Sequence, residues 1–279
     1  MTPENTLTDF LDTLSSPRTQ ASYRAALEEF CTWYRQTNGA EPEFELLTPV
    51  EARDYAAWLQ TARRLSPATI NLHLAAIRSL ERHLGRTLRV RGPKQVQPPV
   101  QALSPRDLGR LLAAAEGEDW ISLRNTAMLN LMARAGLRVG EVTALRADDL
   151  EINQRSGWVM IRGGKGNKTR RVPLNVEVRA ALAAYLKTGR SSPDALFTSK
   201  TGQPLSNRDV QRLVADLARR AGVQNVSPHT LRHTFATRAV EKGVDLATLS
   251  AMLGHSRLET TGRYLHPTAE RMQEAVEGI

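Results

Sequence analysis

The stretch Arg91-Gly92-Pro93-Lys94-Gln95-Val96-Gln97-Pro98-Pro99 holds three prolines and a glycine and shows no hydrophobic period. Proline gives no N–H to a helix or a ladder and fixes its own φ, so no regular element can run through this stretch. The chain must therefore fold as two bodies joined here. The expected division is a helical domain over 1–91, a linker over 92–102 and a larger domain over 103–279. At 279 residues the chain has the length of about two domains.

Elsewhere proline opens elements instead of breaking them. In Ser16-Pro17, Thr48-Pro49, Ser66-Pro67, Ser104-Pro105 and Ser227-Pro228 a hydroxyl stands where it can cap a helix, and proline fills the first position. Tyr23, Leu27, Phe30 and Tyr34 follow the first of these at helical spacing. Tyr55, Trp58 and Leu59 follow the second, and Ile70, Leu74, Ile77 and Leu80 the third. Downstream, Arg124 to Ala135 predicts a helix stopped by Gly136, and Glu141 to Arg146 a short one. Strands are predicted over Glu151–Asn153, Trp158–Arg162 and Thr169–Leu174, with Gly163 to Lys168 as the hairpin loop between the last two. Helices follow over Val176–Lys187, Asn207–Ala221, Pro228–Lys242 and Asp245–Leu253, and a last one contains Tyr264. The fold class is mainly α with a small antiparallel β-sheet, in two domains.

Charge narrows the partner. Lys and Arg number 38 against 29 Asp and Glu, a net charge of +9, which points to a polyanion. Arg78, Arg82, Arg86, Arg89 and Arg91 lie along and beyond the third helix, as a solvated basic face or, as we favour, a run of phosphate contacts. No apolar run is long enough to span a bilayer, and Met1 to Asp12 carries acids where an export signal would be basic and apolar. The expectation is a soluble, cytoplasmic, nucleoid-associated protein with no membrane partner. Cys31 is the only cysteine, which excludes an intrachain disulfide and a thiolate zinc site.

The chemistry-bearing residues lie in the larger part. In Ser227-Pro228-His229-Thr230-Leu231-Arg232-His233 the cap and proline put His229 in the first helical turn, with Arg232 three residues on and on the same face. An imidazole, a guanidinium and oriented backbone amides then converge on one anion, and phosphate suits them. His229 and His233 have a zinc spacing, but Thr230 stands where a metalloprotease needs glutamate. Arg138 falls in the break between two helices, with Glu141 placed to orient it. Lys165 sits on a glycine-rich loop that lacks a nucleotide-binding pattern, since Val159 replaces the first glycine and Gly166 the Ser or Thr. His255 and Tyr264 lie near the end. Asp148-Asp149 is the only adjacent aspartate pair and fits a turn entering a strand, so metal-dependent phosphoryl transfer lacks its carboxylates. Transfer without cations or ATP needs Arg, Lys and His to stabilise charge, and a nucleophile or activated water. The set available is Arg138, Lys165, His229, Arg232, His255 and Tyr264.

In order, spacing and flanking residues this set resembles the tyrosine recombinase (phage integrase) family, in particular its compact Xer-like members. Ala135-Gly136-Leu137-Arg138-Val139-Gly140-Glu141 resembles the first-arginine box, and Gly164-Lys165-Gly166-Asn167-Lys168 the catalytic-lysine hairpin. His229-Thr230-Leu231-Arg232-His233 with Phe235-Ala236-Thr237 resembles the H-x-x-R box, and Leu253-Gly254-His255 with Thr260, Thr261, Tyr264 and His266 the nucleophile box. The resemblance implies a core-binding domain followed by a catalytic domain. It implies that Tyr264 attacks DNA to give a 3′-phosphotyrosyl bond and that Arg138 and Arg232 clamp the phosphate. It further implies that Lys165 protonates the leaving 5′ oxygen, His229 assists proton transfer, His255 binds the phosphate and Glu141 supports them. No metal or cofactor is implied. The implied partner is double-stranded DNA carrying specific recombination sites, bound by a homo-tetramer or a hetero-tetramer with a second recombinase. The tail from Pro267 to Ile279 would pack on a neighbouring protomer. Two alternatives remain: a DNA-binding relative without chemistry, and a type IB topoisomerase-like enzyme.

Overall fold

A computed structural model describes residues 3–94, 101–163 and 169–254, and the chain divides into two compact units, 1–98 and 99–279. Lys165, His255 and Tyr264 lie outside the described residues.

The first unit is built from helices α1 (Pro3–Asp12), α2 (Pro17–Asn38), α3 (Pro49–Thr61) and α4 (Pro67–His83). The hydroxyl caps form as expected. Ser16 accepts from the Thr19 N–H at 3.4 Å and Ser66 from the Thr69 N–H at 3.2 Å. Thr48 accepts from the Val50 N–H at 3.3 Å, while the Thr48 N–H donates to Glu51 at 2.7 Å. Helix α1 goes beyond the sequence reading, which takes only charge from Met1 to Asp12; its Phe10 and Leu11 are buried. Leu27, Phe30, Tyr55, Leu59, Ile70, Leu74 and Ile77 are fully buried with them. The buried Tyr55 hydroxyl bonds His73 Nδ1 at 2.8 Å, which offsets the cost of removing both groups from water.

The arginines along and beyond α4 divide by role, and two of those expected at phosphates also bond the protein itself. Arg78 donates to the Val90 carbonyl at 2.9 Å. Arg86 donates to the carbonyls of Phe44 at 3.0 Å and Leu47 at 2.9 Å, and to that of Glu45, pinning the 3₁₀ turn Phe44–Leu46. Those two guanidiniums hold the chain together. Arg82, Arg89 and Arg91 are exposed.

The second unit contains α5 (Pro105–Ala113), α6 (Trp120–Arg134), α7 (Val139–Thr143), the strands β1 (Leu150–Ile152), β2 (Gly157–Ile161) and β3 (Arg170–Pro173), and then α8 (Val176–Leu186), α9 (Asn207–Ala221), α10 (Pro228–Glu241) and α11 (Leu246–Leu253). The sheet is antiparallel in the order β1-β2-β3. Helix α6 begins four residues before the expected Arg124, because Asp119 caps it by accepting from the N–H groups of Ile121 at 2.9 Å and Ser122 at 3.2 Å. It packs against both α8 and α10. Met128, Leu129, Leu131 and Met132 are all fully buried, so α6 is a central helix without a polar stripe. Asp148 and Asp149 form a 3₁₀ turn that leads into β1, as the sequence suggests. Among the described residues no helix is long and apolar enough to cross a membrane.

Candidate active site

Four elements of the second unit meet around one carboxylate. Helix α6 ends at Gly136, whose φ of +70° suits glycine, and a Cβ there would lie 2.3 Å from the Phe235 ring. The turn delivers Arg138 as the N-cap residue of α7. Its N–H donates to Glu141 at 2.8 Å, and its Nη1 donates to the other Glu141 oxygen at 2.9 Å. Glu141 is therefore fixed by the backbone and side chain of the residue three positions before it, and the Arg138 side chain keeps 43% of its surface exposed.

Arg232 comes from α10. Ser227 caps that helix, accepting from the Thr230 N–H at 3.1 Å, with Pro228 at its first position as expected. His229 is exposed at this N-terminus, whereas Arg232, one turn on, is buried. Arg232 donates to the Gly136 carbonyl at 2.6 Å and the Leu253 carbonyl at 2.7 Å, and its Nη1 lies 3.8 Å from Glu141.

A third arginine completes the group and was absent from the expected set. Arg170 opens β3 opposite Ile161 and follows Lys165 by five positions in the chain. It donates to both Glu141 oxygens at 2.9 Å and, through Nε, to the Met252 carbonyl at 2.8 Å. The signal was in the alternation: Val172 faces the core, and a period of two turns Arg170 the same way. An inward arginine implies a buried acceptor.

The last turn of α11 is the other half of the site. Its carbonyls have no partner further along the helix, and the negative end of the helix dipole favours cations. Arg170 takes that of Met252, Arg138 and Arg232 share that of Leu253, and Arg138 reaches that of Gly254 at 3.3 Å. Gly254 has φ +64°, and a Cβ on it would lie 2.9 Å from the Arg170 guanidinium. The three arginines thus fix the point from which the chain passes to His255.

Burial works against ionisation of Glu141, but the hydrogen bonds from Arg170 and the Arg138 backbone, with the charges of both arginines, outweigh it and hold its carboxyl below the usual range. The carboxylate is therefore charged. Arg138, Arg170 and Arg232 against Glu141 leave two positive charges over among the described groups. Such a cluster suits a phosphate. Among the described residues no three His, Cys, Asp or Glu side chains gather as metal ligands.

Comparison with known proteins agrees with this geometry. Residues 101–271 match the model of the phage integrase family, and residues 12–88 that of the phage integrase N-terminal SAM-like domain. The chain is similar to the tyrosine recombinase XerD of Halalkalibacterium halodurans, 36% identical over 216 residues that cover 72% of this chain and 71% of the relative. It is similar to the tyrosine recombinase XerC of a Methylobacterium species, 34% identical over 94% of this chain and 87% of that one. The crystal structure of XerA recombinase superposes with a TM-score of 0.56 at 28% identity, covering 99% of this chain and 98% of that one.

Proposed function

The chain belongs to the tyrosine recombinase family, as an Xer-like enzyme that cleaves and rejoins DNA, and from that premise we propose how its own residues divide the work. Tyr264 attacks the scissile phosphorus. The Tyr264 Oη–P bond forms as the bond from phosphorus to the 5′ oxygen breaks, leaving a 3′-phosphotyrosyl end. His229 takes the phenol proton, and Lys165 gives a proton to the departing 5′ oxygen. Arg138 and Arg232 hold the non-bridging oxygens, His255 adds a hydrogen bond, and Glu141 keeps the two guanidiniums in place. The phosphodiester energy is conserved in the protein–DNA bond, so reversal by another 5′-hydroxyl rejoins the strand without ATP or a metal.

The observation that carries this reading is the surplus of positive charge gathered at the end of α11, two residues before His255. Arginines held on fixed acceptors are donors that need no reorganisation when charge develops on a phosphate. The test uses nicked, sheared genomic DNA from the source organism. Wild-type protein should form SDS-resistant, protease-sensitive adducts whose released ends are 5′-hydroxyls, labelled by polynucleotide kinase without prior phosphatase treatment. Released 5′-phosphates would overturn the assignment of polarity and leaving group.

The likeness to both XerC and XerD supports exchange between two DNA sites by four protomers, as a homo-tetramer or with a second recombinase. The two units would act as a core-binding domain and a catalytic domain. Pro267 to Ile279 carries Glu270, Glu274 and Glu277 among apolar residues. We assign it to contact between protomers. Deleting it should leave binding to a single site intact and abolish assembly on paired sites, measured by mobility shift. Unchanged assembly would remove that role.

A further inference from the structure

Arg170 is the least accounted-for member of the arginine cluster. Each of its three nitrogens already donates, two to Glu141 and one to the Met252 carbonyl. Its side chain is 13% exposed, against 43% for Arg138. It is therefore committed to protein acceptors at the same place where Arg138 faces outward.

We propose that Arg170 is a positioning residue for DNA cleavage, which neutralises Glu141 so that Arg138 and Arg232 remain available to the scissile phosphate. The inference rests on the function proposed above.

Charge balance gives the reason. A phosphodiester carries one negative charge, and attack by a phenolate brings a second, so the five-coordinate state at phosphorus is a dianion. Among the described groups three guanidiniums and one carboxylate leave two positive charges to meet it; without Arg170 one remains. Geometry gives the second reason. The Glu141 side chain is only 11% exposed, so its charge must find a counter-ion nearby. Among the described residues the cations that face it are Arg138 from the start of α7, Arg170 from β3 and Arg232 from α10, and the end of α11 contributes backbone carbonyls. If Arg170 is removed, Glu141 draws on the other two. Arg232, at 3.8 Å, needs to move by about 1 Å to form a direct hydrogen bond. That movement takes it away from the Gly136 carbonyl it now holds at 2.6 Å and from the phosphate it would bind.

The test compares full-length wild type with Arg170→Gln, Arg170→Lys, Glu141→Gln and the double variant Arg170→Gln/Glu141→Gln, all on the nicked genomic DNA described above. The rate of adduct formation is read beside retention on the same DNA by mobility shift. Arg170→Gln should slow adduct formation by about 100-fold, as expected for a small displacement of catalytic groups, with binding changed by less than about 3-fold. Arg170→Lys keeps the charge but loses the two-pronged contact, and should fall between wild type and Arg170→Gln. The double variant should form adducts at the Glu141→Gln rate and faster than Arg170→Gln, because an uncharged amide no longer competes for Arg138 and Arg232. A merely structural arginine would give losses that add, since removing Glu141 cannot restore a missing scaffold. If Arg170→Gln does not fold, as judged by thermal melting, the double variant against Glu141→Gln decides the matter: equal rates support the proposal, and a further loss overturns it. An Arg170→Gln protein that cleaves at the wild-type rate also overturns it. A wild-type chain that forms no adducts would instead remove the function on which the inference rests.

Discussion

Replacing Tyr264 with phenylalanine should abolish covalent adducts on nicked DNA while leaving DNA binding unchanged. The expected loss is about 10⁴-fold or more, as when the nucleophile is removed from other covalent enzymes. Elimination among the tyrosines supports the choice. The chain has five, at positions 23, 34, 55, 185 and 264. Tyr55 and Tyr185 are fully buried; the Tyr55 hydroxyl is bonded to His73 and that of Tyr185 to the Leu196 carbonyl at 3.0 Å. Tyr34 donates to Glu51 at 3.0 Å, and Tyr23 stacks on Phe10 at 6.4 Å between ring centroids. Burial pushes the phenols of Tyr34, Tyr55 and Tyr185 upward, away from the phenolate that attack requires. All four are committed to packing or to protein acceptors. Tyr264 follows the arginine-bound end of α11 by eleven positions. Adducts that persist in Tyr264→Phe would move the nucleophile elsewhere. The products distinguish the nearest relatives in chemistry, since strand exchange makes new joints between two sites and a type IB topoisomerase-like enzyme makes topoisomers of one plasmid.

The helical framework was legible because its signals are local. A Ser or Thr before proline supplies a cap and a preset φ whatever surrounds it, and the five such starts identified in the sequence open α2, α3, α4, α5 and α10. The same dipeptide at Ser192-Pro193 opens no helix: the Ser192 hydroxyl accepts from the Ala195 N–H at 3.1 Å as a cap would, but the Ser192 N–H donates back to the Ala195 carbonyl at 2.9 Å and closes a turn. The start of α6 was placed late because an aspartate cap lacks the proline that marks the others. Arg138, Glu141 and Arg232 could be named from their places at helix ends. Their shared acceptors could not, because those are backbone carbonyls of Gly136 and Leu253, and a carbonyl leaves no mark in a sequence. Arg170 was missed for a related reason. On a three-stranded sheet its inward position follows from register, and its partner Glu141 lies 29 residues away in the chain. The basic run along and beyond α4 was legible only as charge, which does not tell a guanidinium facing solvent from one bonded to loop carbonyls.

The two clamp arginines should separate when stability and cleavage are measured together. Both are assigned to the same phosphate, so each should cost about 2.7–4 kcal/mol of transition-state stabilisation when removed, a rate loss of about 10²–10³-fold. Their settings in the fold differ. Arg232 has a side chain only 4% exposed and ties the end of α6 to the end of α11 through two carbonyls. Arg232→Met keeps the volume but leaves the Gly136 carbonyl without that donor, at about 1–3 kcal/mol where it stays buried, and leaves the Leu253 carbonyl to Arg138 alone. In a unit of this size that should lower the melting temperature by at least about 5 °C. Arg138 is the N-cap residue of a short helix and faces outward. Its backbone bond to Glu141 survives substitution, and Arg170 still neutralises the carboxylate. Arg138→Ala should therefore lose cleavage to a similar degree while melting within about 2 °C of wild type, as surface substitutions do. Loss of cleavage with stability retained in Arg138→Ala, and loss of both in Arg232→Met, would mean that one arginine serves the phosphate and the other serves the phosphate and the fold together. If Arg138→Ala melts as early as Arg232→Met, the end of α11 depends on all of its guanidiniums equally. The cluster would then be a structural lock first, and the phosphate would be a guest in a site built to hold a helix end.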